Sequence, residues 1–295
     1  MNPKIRLGAA AALLIVALTA GYGLVFRSGV AGDLEEGERA VASGRPDMAE
    51  AAFRRVLSAD PNNELAMYGI GWAWHLGGQD DQAREAFNLL RQIHPNSPLS
   101  YKGLGSVWMG EGNTKEARRS FEQALKLAVN LPDYDTVAIE NSLALVDLSS
   151  RNGDAALAAY DALVQKNPER PEFHLGRAEA MLMLGRNDEA RAAADDAVQR
   201  APDEGVVLAN SLVTRARALL AASGGRVNSS DCKNTATPVY TWLNAADHDL
   251  DRAESLGVAV PSIPNVRRSI RERRGGVDDA CPGLRAIRLP VESGN

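Results

Sequence analysis

The sequence predicts an all-α solenoid of stacked helical hairpins, preceded by one transmembrane helix. Small and large residues recur every 34 residues, no strand-like alternation occurs inside this period, and an uncharged run occupies residues 7–26. A fixed period of this length is typical of helical-hairpin repeats. The recurring positions form four series: Gly37, Gly71 and Gly105; Gly44, Gly78 and Gly112; Ala49, Ala83 and Ala117; Phe53, Phe87 and Phe121.

Residues 1–27 are predicted to form a membrane anchor. Leu7 to Phe26 is a run of 20 residues without a charge, and a helix of this length spans about 30 Å, the thickness of a bilayer's hydrocarbon core. Lys4 and Arg6 precede the run, which favours a cytoplasmic N-terminus. The alternative is a cleaved signal peptide, whose apolar core would be shorter, about 7 to 15 residues. We expect an uncleaved, single-pass protein of the bacterial inner membrane with its C-terminal body in the periplasm.

Each repeat after the anchor is predicted to contain two closely packed helices. A small residue such as Ala83 lets the second helix approach the first, while Trp74 and Phe87 fill the space between one hairpin and the next. Gly78 can end the first helix in a left-handed turn, and Pro95 prevents the second helix from continuing. Because one hairpin cannot bury its apolar face alone, several must stack.

In these positions the chain resembles the tetratricopeptide-repeat (TPR) family. The second repeat carries Met67, Ile70, Gly71, Trp74, Ala83, Phe87 and Pro95, and the third carries Tyr101, Leu104, Gly105, Trp108, Ala117 and Phe121. The resemblance covers residues 33–202 and implies five repeats in a right-handed superhelix. It also implies a concave groove, lined by the first helix of each repeat, that receives an extended peptide or a partner helix.

The first and fourth repeats depart from the pattern. In the first, Asp33 and Glu36 stand where large residues are expected, as a solvent-facing cap requires. Between the third and fourth, Ala117 to Ala156 spans 39 residues, five more than one period. The surplus lies around residues 130–135, which predicts a lengthened second helix followed by a turn.

Residues 203–288 are predicted to form a sixth hairpin, a capping helix and a tail. The hairpin comprises helices 206–223 and 239–256 with an enlarged loop between them, and the capping helix covers 265–274 and ends at two glycines. Cys232 and Cys281 lie outside the regular repeats, and in an exported protein we expect a disulfide between them that ties the tail to the loop. The alternative is two unrelated thiols. Residues 289–295 are expected to be flexible.

Composition and motifs argue against catalysis and against nucleic acid as a partner. Beyond the N-terminal segment, 30 basic residues oppose 38 acidic ones, a balance of −8. The four histidines are scattered over different repeats, and no hydrolase, zinc-protease or nucleotide-binding motif is present. We therefore expect a protein that is not an enzyme and has no cofactor and no metal. A cluster of five arginines within 267–274 is expected to be a solvated face, or alternatively a contact for anionic lipid or an acidic partner.

The resemblance assigns groove positions residue by residue. These positions are Leu65, Tyr68, Trp72, His75 and Leu76 in the second repeat, Leu99, Lys102, Ser106 and Met109 in the third, Asn141, Leu145 and Leu148 in the fourth, and Leu175, Glu179, Leu182 and Met183 in the fifth. Tyr68 and Trp72 could instead cover the flank of a neighbouring helix. Some TPR proteins clamp a C-terminal carboxylate with Lys, Asn and Arg, but only Lys102 has a counterpart here.

The sequence thus favours a non-catalytic interaction scaffold, or adaptor, that assists the assembly or stability of an envelope or membrane complex. One alternative is a permanent structural subunit of a larger membrane complex. Another is a chaperone-like factor for exported proteins. The partner in the groove would be a protein or peptide, and the N-terminal helix would contact the membrane.

Overall fold

The computed structural model describes residues 29–132, 134–225 and 227–282, and these residues form α-helices joined by short connections. The predicted anchor at 1–27 and the predicted flexible end at 289–295 lie outside the described residues. Within the described part, no helix is both long and apolar enough to cross a membrane. The helices are α1 (29–42), α2 (Pro46–Ala59), α3 (Glu64–Leu76), α4 (Asp80–Ile93), α5 (Pro98–Gly110), α6 (Thr114–Ala128), α7 (Val137–Ser149), α8 (Gly153–Lys166), α9 (Pro171–Met183), α10 (Asn187–Arg200), α11 (Val206–Ala222), α12 (Cys232–Ser255) and α13 (Ile263–Ala280).

The predicted all-α helical-repeat architecture is confirmed, and the helices divide into two compact units after Ile139. We call these the N-terminal unit (29–139) and the C-terminal unit (140–282). The division into repeats 33–202 and a C-terminal segment 203–288 stays a prediction.

The N-terminal unit shows why its period pairs large residues with glycines. The ring of Phe87 is buried between Gly71 on α3 and Gly103 on α5. A methyl group on either glycine would overlap the ring. Phe53 is buried in the same way between Gly37 and Gly69, and the buried ring of Phe121 lies against Gly105. The glycines are therefore packing positions, because only a residue without Cβ leaves room for the ring.

The first hairpin has the polar outer face that the sequence predicts. Arg55 on α2 donates to Asp33 at 2.7 Å and to Glu36 at 2.6 Å. The two acids thus pair with an arginine on the adjacent helix α2.

The first helix of each of the five repeats ends in the same turn. In α3, the N–H of Gln79 bonds to the carbonyl of Trp74 at 2.8 Å, and Gly78 between them has φ 74°. Gly44, Gly112 and Gly185 occupy the same place with φ 66°, 77° and 72°. The left-handed conformation closes the turn and favours glycine, which has no Cβ.

The surplus residues between repeats three and four lie mainly in the connection. The predicted lengthening of the second helix is minor, because α6 has 15 residues and α4 has 14. Asp135 accepts from the N–H of Val137 at 3.0 Å and so caps α7. A side chain that satisfies a free N–H at this place explains why α7 starts here.

The C-terminal unit contains a buried ion pair between α11 and α12. Arg215 donates to both oxygens of Asp249, at 2.8 and 2.6 Å, and lies 3.3 Å from Asp195. Asp249 is 2% exposed. The adjacent carboxylates, Asp249 first, raise the pKa of Arg215, so the guanidinium stays protonated.

Two helix boundaries in this unit differ from the sequence prediction. α12 begins at Cys232 rather than residue 239 and contains Pro238 in its interior. α13 runs from Ile263 to Ala280, through the two glycines expected to end it. Arg273 on α13 donates to the carbonyl of Gly225 at 2.5 Å, just after α11, so the helix is held by contacts outside its own sequence.

The predicted disulfide is present. Cys232 and Cys281 are bonded, with 5.6 Å between their Cα atoms. The bond joins the first residue of α12 to the residue after α13, so it fixes α13 at its C-terminal end.

Candidate partner-binding surfaces

The N-terminal unit presents an aromatic face on α3, defined by Leu65, Tyr68, Trp72 and Leu76. These positions follow helical spacing and so share one side of the helix. Leu65 is 49% exposed and Leu76 is 43% exposed, while the two aromatic side chains are half-buried. The face therefore offers apolar area that the unit does not cover.

Four of the sequence-predicted residues meet at this face. The rings of Tyr68 and Trp72 lie edge to face at 6.2 Å, and His75 lies 5.5 Å from Trp72. The ammonium of Lys102 on α5 is 5.9 Å from the centre of the Tyr68 ring, within cation–π range. Tyr68 also contacts the core ring of Phe87 at 5.7 Å. Tyr68 therefore fits both predictions, because it covers the core ring of Phe87 on the neighbouring helix α4 and also contributes to the exposed face.

The electrostatics of this face are set by burial and by a nearby acid. Burial raises the pKa of the Tyr68 hydroxyl and lowers the pKa of Lys102. The carboxylate of Asp135, in the connection before α7, opposes the second shift. His75 is held by Asp80, with Nδ1 at 2.6 Å from the carboxylate. Met109 is half-buried near the end of α5.

The C-terminal unit contains a cavity of about 620 Å³. It is lined by the first helices of successive hairpins, α7, α9 and α11, together with α13. Its apolar lining is formed by Leu148, Leu182, Met183, Leu220, Ala221 and Val266, and its polar lining by Ser149, Arg151, Glu179, Arg217, Asn265 and Ser269. Half of the lining residues are apolar and half are polar, so the cavity can receive a ligand that combines both kinds of group.

Two of the ionised residues that line the cavity neutralise each other. Glu179 accepts from the hydroxyl of Thr214 at 2.7 Å and from one guanidinium nitrogen of Arg217 at 2.5 Å. Arg151 is exposed and forms no ion pair with any residue that the structure describes. The cavity therefore carries one uncompensated positive charge.

Some of the predicted groove residues lie in this cavity and others do not. Leu148, Glu179, Leu182 and Met183 line it. Asn141 and Leu145 lie earlier on α7, outside the lining, and Leu145 is 43% exposed. Their role as groove residues stays a prediction.

The lining residues of α11 and α13 could not be predicted from the repeat pattern, because the resemblance ends at Pro202. Arg151 was also not predicted, although the sequence contains a signal for it. Arg151 precedes Gly185 by one period of 34 residues, so an arginine stands where the other repeats carry the turn glycine.

The arginines of α13 are mostly engaged within the unit. Arg267 bonds to Asp251 at 2.6 Å and to Glu254 at 2.9 Å, and Arg274 bonds to Asp247 at 2.9 Å. Arg268 and Arg271 are exposed. Across the described ranges, no group of three or more potential metal-binding side chains occurs.

Comparison with known proteins supports the repeat assignment. A family model described as "Tetratricopeptide repeat" matches residues 34–98 and 141–205. No curated protein is similar enough to this chain to count as a match.

Solved structures share the fold at low sequence identity. PilW, described as a widely conserved type IV pilus biogenesis factor, has a TM-score of 0.59 at 16% identity, over 78% of this chain and 98% of PilW. PilF of Pseudomonas aeruginosa has a TM-score of 0.56 at 14% identity, over 76% and 92%. A thermophilic TPR protein in Thermus thermophilus has a TM-score of 0.53 at 23% identity, over 65% and 98%. The family model matches two segments whose hairpins share one turn, and the solved structures show the same helical-repeat fold.

Proposed function

We propose that this protein is a non-catalytic scaffold that binds segments of partner proteins. The observation that carries the proposal is the cavity of the C-terminal unit, which is lined by the first helix of each hairpin plus α13. TPR repeats in general mediate protein–protein interactions by presenting such surfaces. The aromatic face of the N-terminal unit is a second place for a partner, since exposed aromatic and apolar side chains are enriched at interfaces.

The proposed location is the bacterial inner membrane, with the body in the periplasm. The uncharged run at 7–26 and the basic residues before it support this orientation. The bond between Cys232 and Cys281 is compatible with an oxidising compartment. A C-terminal alkaline phosphatase fusion, which is active only outside the cytoplasm, should be active. An inactive but intact fusion would contradict the location.

The proposed role is to assist the assembly or stability of an envelope or membrane complex. The fold shared with PilW, a pilus biogenesis factor, is compatible with such a role. A permanent subunit would co-purify with its complex in fixed stoichiometry after gentle detergent extraction, whereas a transient scaffold would come away alone.

Site-specific photocrosslinking in intact cells tests the binding surface. A photoreactive residue in place of Met183, which lines the cavity, should crosslink to a discrete partner protein. The same residue in place of Val206, which is exposed on α11 outside the cavity, is the matched control. Crosslinks from position 206 and none from position 183 would contradict the proposal.

A further inference from the structure

Arg151 occupies a turn position that the other four repeats reserve for glycine. Its φ is 57°, against 66° to 77° for Gly44, Gly78, Gly112 and Gly185. The turn itself is the same, since the N–H of Asn152 bonds to the carbonyl of Asp147 at 2.9 Å, as Gln79 bonds to Trp74. An arginine is therefore not needed to form this turn.

The conformation of Arg151 is unfavourable for a residue with a Cβ atom. In the left-handed region Cβ approaches the following carbonyl oxygen, which glycine avoids. Strained backbone of this kind persists where the surrounding structure holds it in place, and it clusters at functional sites. Arg151 is the one non-glycine residue with positive φ among those the structure describes.

The side chain of Arg151 lies where it can contact a ligand. It lines the cavity and is exposed, and no carboxylate within the described ranges forms an ion pair with it. Most other arginines of the C-terminal unit have a carboxylate within 4.0 Å, as Arg177 has Asp161 and Arg215 has Asp249. The guanidinium of Arg151 thus keeps its five donors for a group outside the described chain.

Arg217 adds a second guanidinium group to the lining of the cavity. Only one of its guanidinium nitrogens bonds to Glu179, so donors on the other nitrogens remain. Glu179 is already paired with Thr214 and Arg217 and does not cancel the charge of Arg151. The apolar lining between the charged residues, including Leu182 and Val266, suits a side chain without charge.

We propose that Arg151 is the anchor for a carboxylate on the partner segment, and that an apolar side chain next to that carboxylate fills the cavity. The occupant is a peptide segment of a partner protein that combines acidic and apolar residues. This inference deepens the proposed function and rests on it. Guanidinium–carboxylate bonds are directional and stronger than neutral hydrogen bonds, so they would select an acidic segment over a neutral one.

Peptide selection on the purified full-length protein tests whether the cavity prefers acidic, apolar segments. A display library of random short peptides should yield binders that carry at least one Glu or Asp beside an apolar residue. Replacing the acidic residue of a selected peptide by its amide should weaken binding about tenfold or more. Arg151→Gly should weaken the acidic peptide to the same degree and leave the amide peptide unchanged, while Arg151→Lys should retain part of the affinity.

Thermal unfolding shows whether a variant loses binding because the Arg151 side chain is gone or because the protein has unfolded. Arg151→Gly relieves the strained backbone, so its thermal midpoint should rise by about 2 °C even as binding falls. Arg151→Asn, a residue that tolerates the left-handed conformation, should bind as weakly as the glycine variant.

The outcomes distinguish the two proposals. Loss of binding in Met183→Glu would show that a selected peptide depends on the cavity. If such peptides are neutral and bind Arg151→Gly as well as the wild type, the proposed role of Arg151 is wrong, while the proposed scaffold function stands. If no selected peptide is sensitive to Met183→Glu, the binding surface itself is wrong.

Discussion

The two units are built from the same kind of hairpin, but their candidate surfaces arise in different ways. In the N-terminal unit, the aromatic face belongs to α3, a helix that keeps the strict period and has Phe87 packed beneath Tyr68. In the C-terminal unit, the cavity is completed by departures from the period, namely Arg151 at a glycine position and Val266 on α13. The regular positions determine the fold, and the departures add Arg151 and Val266 to the lining of the cavity.

The largest effect is expected from removing a buried ring in the core of the N-terminal unit. Phe87→Ala should lower the free energy of unfolding by about 4 kcal/mol, because the ring fills the space between Gly71 and Gly103 and leaves a cavity when removed. The measurement is urea denaturation followed by circular dichroism. Leu89→Ala is the control, since Leu89 lies on the same helix and is 50% exposed. Equal losses in both variants would contradict this account of the core.

The next largest effect is expected from removing the disulfide of the C-terminal unit. The disulfide closes a loop with a sequence separation of 49, so Cys232→Ser with Cys281→Ser should cost about 4 kcal/mol at most on the chain-entropy model. Hydrogen exchange should speed up in α12 and α13 and stay unchanged in the N-terminal unit. If exchange in α13 does not change, contacts such as those of Arg273 hold the helix without the bond.

The smallest effect is a pH dependence at the aromatic face. Burial raises the pKa of Tyr68 and of Tyr134 above the ordinary value of 10.0. In the unfolded chain the phenols lose their protons near pH 10, while the folded chain retains them and so binds more protons. Stability should therefore fall as the pH rises above about 10. Tyr68→Phe should make that fall less steep while changing little at pH 7, and an unchanged slope would contradict the burial of this hydroxyl.

Much of the fold could be predicted from the sequence, because the period places residues with strict steric needs. Phe87 requires glycines beside it, and Asp33 and Glu36, which stand where large residues are expected, pair with Arg55 on the adjacent helix. The disulfide could be predicted because only two cysteines exist. The extent of α12 and α13 could not, since Pro238 and the glycines at 275 and 276 are tolerated by virtue of tertiary contacts that local propensity does not contain.

The candidate site was predictable only where it follows the repeat. Glu179, Leu182 and Met183 occupy repeat positions and line the cavity. Arg217, Asn265 and Val266 come from helices beyond the last matching repeat, so no periodic position pointed to them. Asn141 and Leu145 share α7 with Leu148 but lie outside the lining, because a helix presents a given cavity with only part of its length.

Hydrogen exchange on the protein with its photocrosslinked partner tests the central claim most directly. The account predicts that the partner adds protection at the ends of α7 and α9 and in the first turns of α13, where Leu148, Met183 and Val266 line the cavity. Added protection confined to α8, α10 and α12, with none at the cavity, would contradict it.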